Sequence, residues 1–274
     1  MKFKHLIIVF NCVIIVIIIL IVLMPLLLTG PEFSAVLRSK TLPIQIFMVL
    51  LLLIMNIFFY INYRLLSLLE REDWPALTFY LEHKIYTKGR YSNQKVRLLA
   101  NSYLVLSDYP SVLKLESKVL QKKPSIIDKN ILIFGISRLL GSSHEEAAAF
   151  FKAHIDKSKV KDNQWVHWFY GFSQLLCGAN ELAEQEFLSL AVSSDNAFIT
   201  GLSAYFLQNF VAKNSRKNEE CLKIAEDSRK KILKVYNNLQ KWQNEANNMR
   251  TDVFVSVIMN YINQTGKWLY NSQE

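Results

Sequence analysis

The sequence predicts an all-α protein: a two-helix transmembrane hairpin, then stacked pairs of amphipathic helices, then a helical cap. Three observations predict it. Two long uncharged apolar runs stand near the N-terminus. Four short stretches further on superpose at a nearly constant offset. Near the C-terminus an apolar stripe alternates steps of four and three residues.

The first run, Leu6 to Leu28, carries no charge and one strongly polar side chain, Asn11. The second, Leu42 to Ile61, is also uncharged. A helix needs roughly 20 apolar residues to cross a hydrocarbon core of about 30 Å. The expected spans are residues 6–28 and 42–61, within a hairpin domain of residues 1–62. Thr29-Gly30-Pro31 reads as the turn between them. A cleaved signal peptide fits poorly, because the first run exceeds the usual signal core and no small-x-small site follows it. Basic residues set orientation. Lys2 and Lys4 before the first span, with Arg64 and Arg71 after the second, outnumber Arg38 and Lys40 in the loop. Both termini are therefore expected in the cytoplasm of an integral inner-membrane (plasma-membrane) protein of bacterial type. Antiparallel packing puts Asn11 and Asn56 at similar depth. They either bond across the hairpin or snorkel toward the headgroups. Neither span holds a charge, which argues against an ion path or proton relay.

No glycine or proline interrupts Ile61 to Glu70, and leucines recur at three- and four-residue steps. One helix is expected to run on from the second span and open a repeat region over residues 63–212. Glu72-Asp73-Trp74-Pro75 lies over Ser107-Asp108-Tyr109-Pro110, then Ser142-Ser143-His144-Glu145, then Gly178-Ala179-Asn180-Glu181. Taking Trp74, Tyr109, His144 and Asn180 as equivalent gives offsets of 35, 35 and 36. A period near 35 is that of helix–turn–helix units that bury their apolar faces only by stacking. In the unit around Asn93 to Ile126, Val96, Leu99, Ala100 and Tyr103 share a helical face. Asp108 suits an N-cap, and Pro110 is tolerated in the first turn because its missing N–H has no helical partner there. Val112, Leu113, Leu115, Val119 and Leu120 continue on the second helix until Pro124 stops it.

This unit resembles a tetratricopeptide repeat. Ala100, Tyr103, Tyr109 and Pro124 fall in that family's slots, while Val112 replaces a small residue and Glu116 an aromatic. The unit from about Gln164 to Ala197 is similar at Gly171, Gly178, Ala183 and Phe187. The unit between keeps Gly141, Ala147 and Phe151. The first unit fits at Trp74 and Leu77, with Leu81 in an aromatic slot. The resemblance covers roughly residues 61–200. It implies a curved array whose concave face, lined by first helices, docks proteins, with Asn101, Arg138 and Gln174 as candidate contacts.

Residues 213–274 are expected to close the array. After an apolar helix near Ala197–Val211, a long helix is predicted from about Asn218 to Met249. It carries the stripe Cys221, Ala225, Ser228, Ile232, Val235, Leu239, Trp242, Ala246, Met249. A further helix starts at Thr251-Asp252, with Phe254, Ile258, Tyr261 and Trp268 on one side. The heptad seam suits either an antiparallel capping hairpin or a homodimer through residues 221–249. The back of the long helix carries Lys223, Arg229, Lys230, Lys231, Lys234 and Lys241. A solvated face is the usual meaning of such a run; contact with anionic lipid or an acidic partner through residues 223–241 is the sharper one.

The net charge of +9 is spread along the chain and suits a domain beside an anionic leaflet better than a nucleic-acid binder. Cys12, Cys177 and Cys221 have no metal-ligand spacing, so no metal, cofactor or disulfide is expected. His144-Glu145-Glu146-Ala147-Ala148 lacks the second histidine of a zinc protease motif. No phosphate-binding glycine loop or nucleophile elbow occurs, and no catalytic residue is assigned. The run Trp165-Val166-His167-Trp168-Phe169-Tyr170 suits a packed core, with an enzyme of unfamiliar type near His167 as the alternative. Asn263-Gln264-Thr265 is a formal glycosylation sequon, idle in a cytoplasm. The expectation is a membrane-anchored scaffold for protein–protein interaction.

Overall fold

The computed structural model describes residues 3–155, 163–215, 218–249 and 253–270, without the side chains of residues 3, 4, 6, 22, 24–41 and 214. The described residues are helices and short connections, with no strand among them. The chain divides into two compact units, Met1–Tyr80 and Leu81–Glu274.

Helix α1 spans Phe3–Glu70. A straight helix would hold Asn11 and Asn56 about 68 Å apart at 1.5 Å per residue. Their side chains instead bond reciprocally: Asn11 Nδ2 donates to Asn56 Oδ1 at 3.1 Å, and Asn56 Nδ2 donates to Asn11 Oδ1 at 2.8 Å. α1 therefore doubles back between these residues, and the cross-limb bond of the two sequence readings is the one observed. Asn56 Nδ2 also donates to Leu52 O at 2.8 Å. Along the first limb the less exposed positions are Ile7, Phe10, Asn11, Ile14, Ile18 and Ile21; along the second they are Gln45, Met48, Leu51, Leu52, Met55, Asn56 and Phe59. Both stripes keep three- and four-residue steps, as two helices packed side by side require. The backbone stays helical through Thr29-Gly30-Pro31, where the sequence predicts a turn. The side chains of that turn, like Lys2, Lys4, Arg38 and Lys40, lie outside the described residues. α1 continues past Ile61 to Glu70, as the leucine spacing predicts.

The repeat region alternates first and second helices: α2 (Trp74–Glu82), α3 (Asn93–Val105), α4 (Tyr109–Lys122), α5 (Ile131–Gly141), α6 (His144–His154), α7 (Asn163–Leu176), α8 (Asn180–Ser193) and α9 (Ala197–Phe206). α2 runs into a π-turn over His83–Thr87 and α9 into another over Leu207–Val211. Three of the four turns repeat in backbone detail; at the third, Ser142 is extended, with φ −131°. Glu72, Ser107 and Gly178 occupy one repeat position and all have left-handed φ, at 53°, 57° and 77°. Only the glycine adopts that conformation without strain. One residue on, the N–H groups of Asp73, Asp108 and Ala179 reach back five residues to Leu68, Tyr103 and Gln174 carbonyls, closing each first helix as a Schellman motif does. Asp73, Asp108 and Ser143 then accept from the backbone N–H three residues ahead, at 3.1, 3.2 and 3.2 Å. Such a cap stabilises its helix by about 1 kcal/mol. The fourth turn has Ala179 here, with no side-chain cap.

From α3 to α9 each helix packs on the next, and the first helices α3, α5, α7 and α9 also touch in sequence order. The small-residue slot makes this approach feasible. A Cβ at Gly135 would collide with the Phe151 ring, and one at Gly171 would come within 3.3 Å of Phe187. Gly135 is the equivalent of Ala100 and Gly171, a place the sequence reading left unassigned in that unit. Glu116, in a slot the family fills with an aromatic, is 4% exposed. Arg138 Nη1 meets its Oε2 at 2.5 Å, and the guanidinium lies 4.3 Å from the Phe150 ring centre. A charge pair thus replaces aromatic packing between α4, α5 and α6.

Beyond the repeats, the expected long helix 218–249 is two: α10 (Asn218–Val235) and α11 (Leu239–Asn248). Asn238 interrupts it by capping α11, its side chain accepting from Lys241 N at 2.9 Å. Asparagine bonds readily to nearby backbone outside helical geometry. The bend brings Trp242 onto Phe198 of α9, ring centres 4.2 Å apart, and its Nε1 donates to Ile262 O at 3.1 Å. The heptad residues Cys221, Ala225, Ile232, Trp242 and Ala246 are at most 2% exposed. α10 packs on α8 and α9, where Ser228 Oγ donates to Ala191 O at 3.1 Å. These seam positions pack within the chain, whereas Val235 of the same stripe is 61% exposed.

Candidate interaction surfaces

The last helix, α12 (Val253–Tyr270), does more than cap an open end. It packs on first helices α5 and α9 and makes ring contacts with α7. Phe254 meets Trp165 at 5.2 Å and Phe169 at 6.3 Å. Tyr261, seven residues on, meets Phe172 at 5.6 Å and Phe206 at 5.1 Å. Trp268, seven further, meets Tyr205 at 6.0 Å and donates from Nε1 to Gln208 Oε1 at 3.1 Å. Aromatic pairs at these distances contribute about 0.5–1.5 kcal/mol each beyond burial. α12 is also held at its end: Arg229 Nε and Nη2 donate to Leu269 O at 3.1 and 2.8 Å, and Tyr270 Oη donates to Tyr236 O at 2.6 Å. Arg229, expected on a solvated back, is 8% exposed because it closes this helix. The chain's own helix thus lies along first-helix surface that a docking groove would need.

The three candidate contact residues do not form one face. Arg138 and Gln174 occupy the repeat position of Tyr103, whereas Asn101 sits two residues earlier, about 200° around its helix. Arg138 is held by Glu116 and Phe150. Tyr103 plays a matching part, donating from Oη to Glu82 Oε1 at 2.5 Å; burial first, then that bond, push its hydroxyl pKa upward. These polar links tie a first helix to the preceding second helix rather than await a ligand. Gln174 is half-buried. Asn101 is half-buried too, and its Oδ1 is enclosed without a hydrogen-bond partner among the described residues.

The aromatic run of α7 is core: Trp165, Trp168, Phe169 and Tyr170 are at most 6% exposed. His167 points away from it, its Nδ1 2.8 Å from Glu186 Oε2 on α8. Among the described residues no group of three or more His, Cys, Asp or Glu side chains could hold a metal ion. Lys223, Lys230, Lys231, Lys234 and Lys241 are all exposed; Lys230 comes within 3.9 Å of Glu226.

The inter-helix turns gather along one edge. Tyr109, opening α4, lies against Gly141 at the end of α5. Cys177, after α7, has its thiol pKa raised by burial and then by the charge of Glu145 on α6. Glu145 itself is held below the usual carboxylate value by its own backbone N–H and then the Ser143 hydroxyl.

An uncharacterised protein of Treponema pallidum (strain Nichols) is 27% identical over 281 residues, covering 98% of this chain and 88% of that protein. No solved structure matches. The family described as an uncharacterised Treponema protein matches residues 111–271, from the first turn of α4 through α12. That match takes in more than half of the sequence, so the chain belongs to this Treponema family.

Proposed function

We propose that the chain is an integral membrane protein whose two α1 limbs cross the bilayer as a hairpin, with both termini cytoplasmic and the tetratricopeptide-like helical array serving as a protein-binding scaffold there. The observation that carries the membrane reading is the inside-out polarity of α1. Its amides face each other, while Ile8, Val13, Leu20, Ile46, Leu50, Leu53 and Ile57 are between 50% and 58% exposed. Leu42–Glu70, 29 residues, is long and apolar enough to cross a membrane, and none of its apolar window is buried; Ile7–Ile21 is a shorter apolar stretch. A core helix of a water-soluble protein would hide those side chains. Contiguous exposed apolar surface beyond a few hundred Å² marks a membrane or protein contact, and paired amides suit hydrocarbon, where an unpaired one is costly. The scaffold reading is supported by the repeated turns and the ordered stacking of first helices.

The test is membrane extraction at alkaline pH followed by cysteine labelling in intact cells. The full chain should stay in the membrane pellet, and a cysteine placed at Lys234 should react only after the cells are opened. A chain recovered in the soluble fraction without detergent, or one labelled at residue 234 from outside, refutes the reading.

A further inference from the structure

The edge built by the turns after α3, α5 and α7 carries a repeated feature that neither the core nor the groove uses. Val105, Leu140 and Leu176 stand at one repeat position, 35 and 36 residues apart. They are 47%, 43% and 40% exposed. An apolar side chain left in water once is ordinary; left out at the same place in three successive units, it forms a row. Acidic residues accompany it: Asp108, and the exposed Glu145, Glu146 and Glu181. In the stretches 102–112, 138–147 and 173–183 the only basic side chains are His144 and Arg138, and Arg138 is paired with Glu116.

The complementary surface lies elsewhere on the same unit. Residues 228–241 contain no acidic side chain. Arg229 there is spent on Leu269 O, which leaves Lys230, Lys231, Lys234 and Lys241 exposed. Beside them Val235 is 61% exposed. One surface is thus an apolar row with a negative rim, the other an apolar residue with a positive rim. A specific interface combines these parts, an apolar centre and charges that match across it.

We propose that a second copy of the chain docks its α10–α11 lysine face on the turn edge of the first. The two patches differ, so the contact is head-to-tail, and every copy keeps one patch free to recruit the next. Of the heptad stripe only the exposed Val235 takes part, and the contact does not depend on how α1 meets the membrane.

Charge reversal tests this on the full chain in detergent micelles, with donor- and acceptor-labelled copies followed by energy transfer against concentration. Glu145→Lys with Glu146→Lys and Glu181→Lys should weaken self-association at least about tenfold. So should Lys230→Glu with Lys231→Glu and Lys234→Glu. Mixing the two reversed proteins should restore association, because the new basic edge meets the new acidic helix. Raising salt from about 50 to 500 mM should weaken the wild-type contact and the mixed one alike. Unchanged helical circular dichroism and melting of each variant separates loss of docking from loss of fold. The proposal is overturned by association that neither reversal alters, which would place it on α1, by a mixture that fails to recover, or by no energy transfer up to about 100 µM, where contacts of useful strength would register.

Discussion

α1 and the repeat helices are built from the same aliphatic residues arranged in opposite senses. In α1 the polar amides of Asn11 and Asn56 turn inward, beside Ile14, and many leucines and isoleucines, among them Ile8, Leu20, Leu50, Leu53 and Ile57, face out. In α3 to α9 the leucines, alanines and aromatic rings are inside, with Ala100, Leu115, Ala183 and Trp168 at 0% exposure. The difference teaches that the side chain alone does not fix which face of a helix is the interior. On the membrane reading we propose, the surroundings do: around α1 they are hydrocarbon, and the interhelical contact needs only packing and a bonded amide pair; around the repeats they are water, and the apolar stripe is the driving force.

The strongest way to break this contrast is to put a charge inside the array. Ala183→Arg places a guanidinium where α8 meets its neighbours without room or partner, at a cost of about 3–5 kcal/mol. Thermal melting of the variant should show a large loss of stability; an unchanged midpoint would reject the packing of α8. A pair of substitutions sharpens the contrast. Leu53 on α1 and Leu120 on α4 are exposed to similar extents, 53% and 47%. Leu53→Lys should cost about 2.5–3.5 kcal/mol of apparent insertion free energy, read as the membrane-integrated fraction in an insertion assay. Leu120→Lys should change the melting free energy by no more than about 0.5 kcal/mol. Equal effects at the two sites would erase the distinction. A smaller effect than that of Leu53→Lys belongs to the amides. Asn56→Leu leaves Asn11 unpaired and should loosen the hairpin by about 0.6–2 kcal/mol, while Asn11→Leu with Asn56→Leu should recover most of it. Disulfide trapping between residues 10 and 55 reports the loosening, and a double variant no better than the single would deny the pairing.

Much of the array was legible because its signals are local. Proline and aspartate at 108–110 and the cap at Ser143 act within four residues, so the turns sit where the period of 35 placed them. The Asn11–Asn56 contact was legible as one of two readings because polar residues are rare in those runs. What was not legible depends on contacts distant in sequence. The seam from Cys221 to Met249 keeps its four-three rhythm across Asn238, so periodicity alone hides the break; the Asn237-Asn238 pair is the available signal. α12 was recognisable as an amphipathic helix, but that Phe254, Tyr261 and Trp268 meet first helices is set by contacts 55 to 89 residues apart in the chain. Arg138 looked like an open contact because its partner Glu116 lies 22 residues away in a slot expected to be aromatic. Gly135 could have been found by extending the offset from Ala100 to Gly171, the same arithmetic that located the turns.

The placement of α12 also bears on the order of assembly. Trp165, Phe172, Tyr205 and Phe206 precede the rings they meet by 55 to 89 residues, so each contact closes a long loop whose entropy cost falls before the packing can offset it.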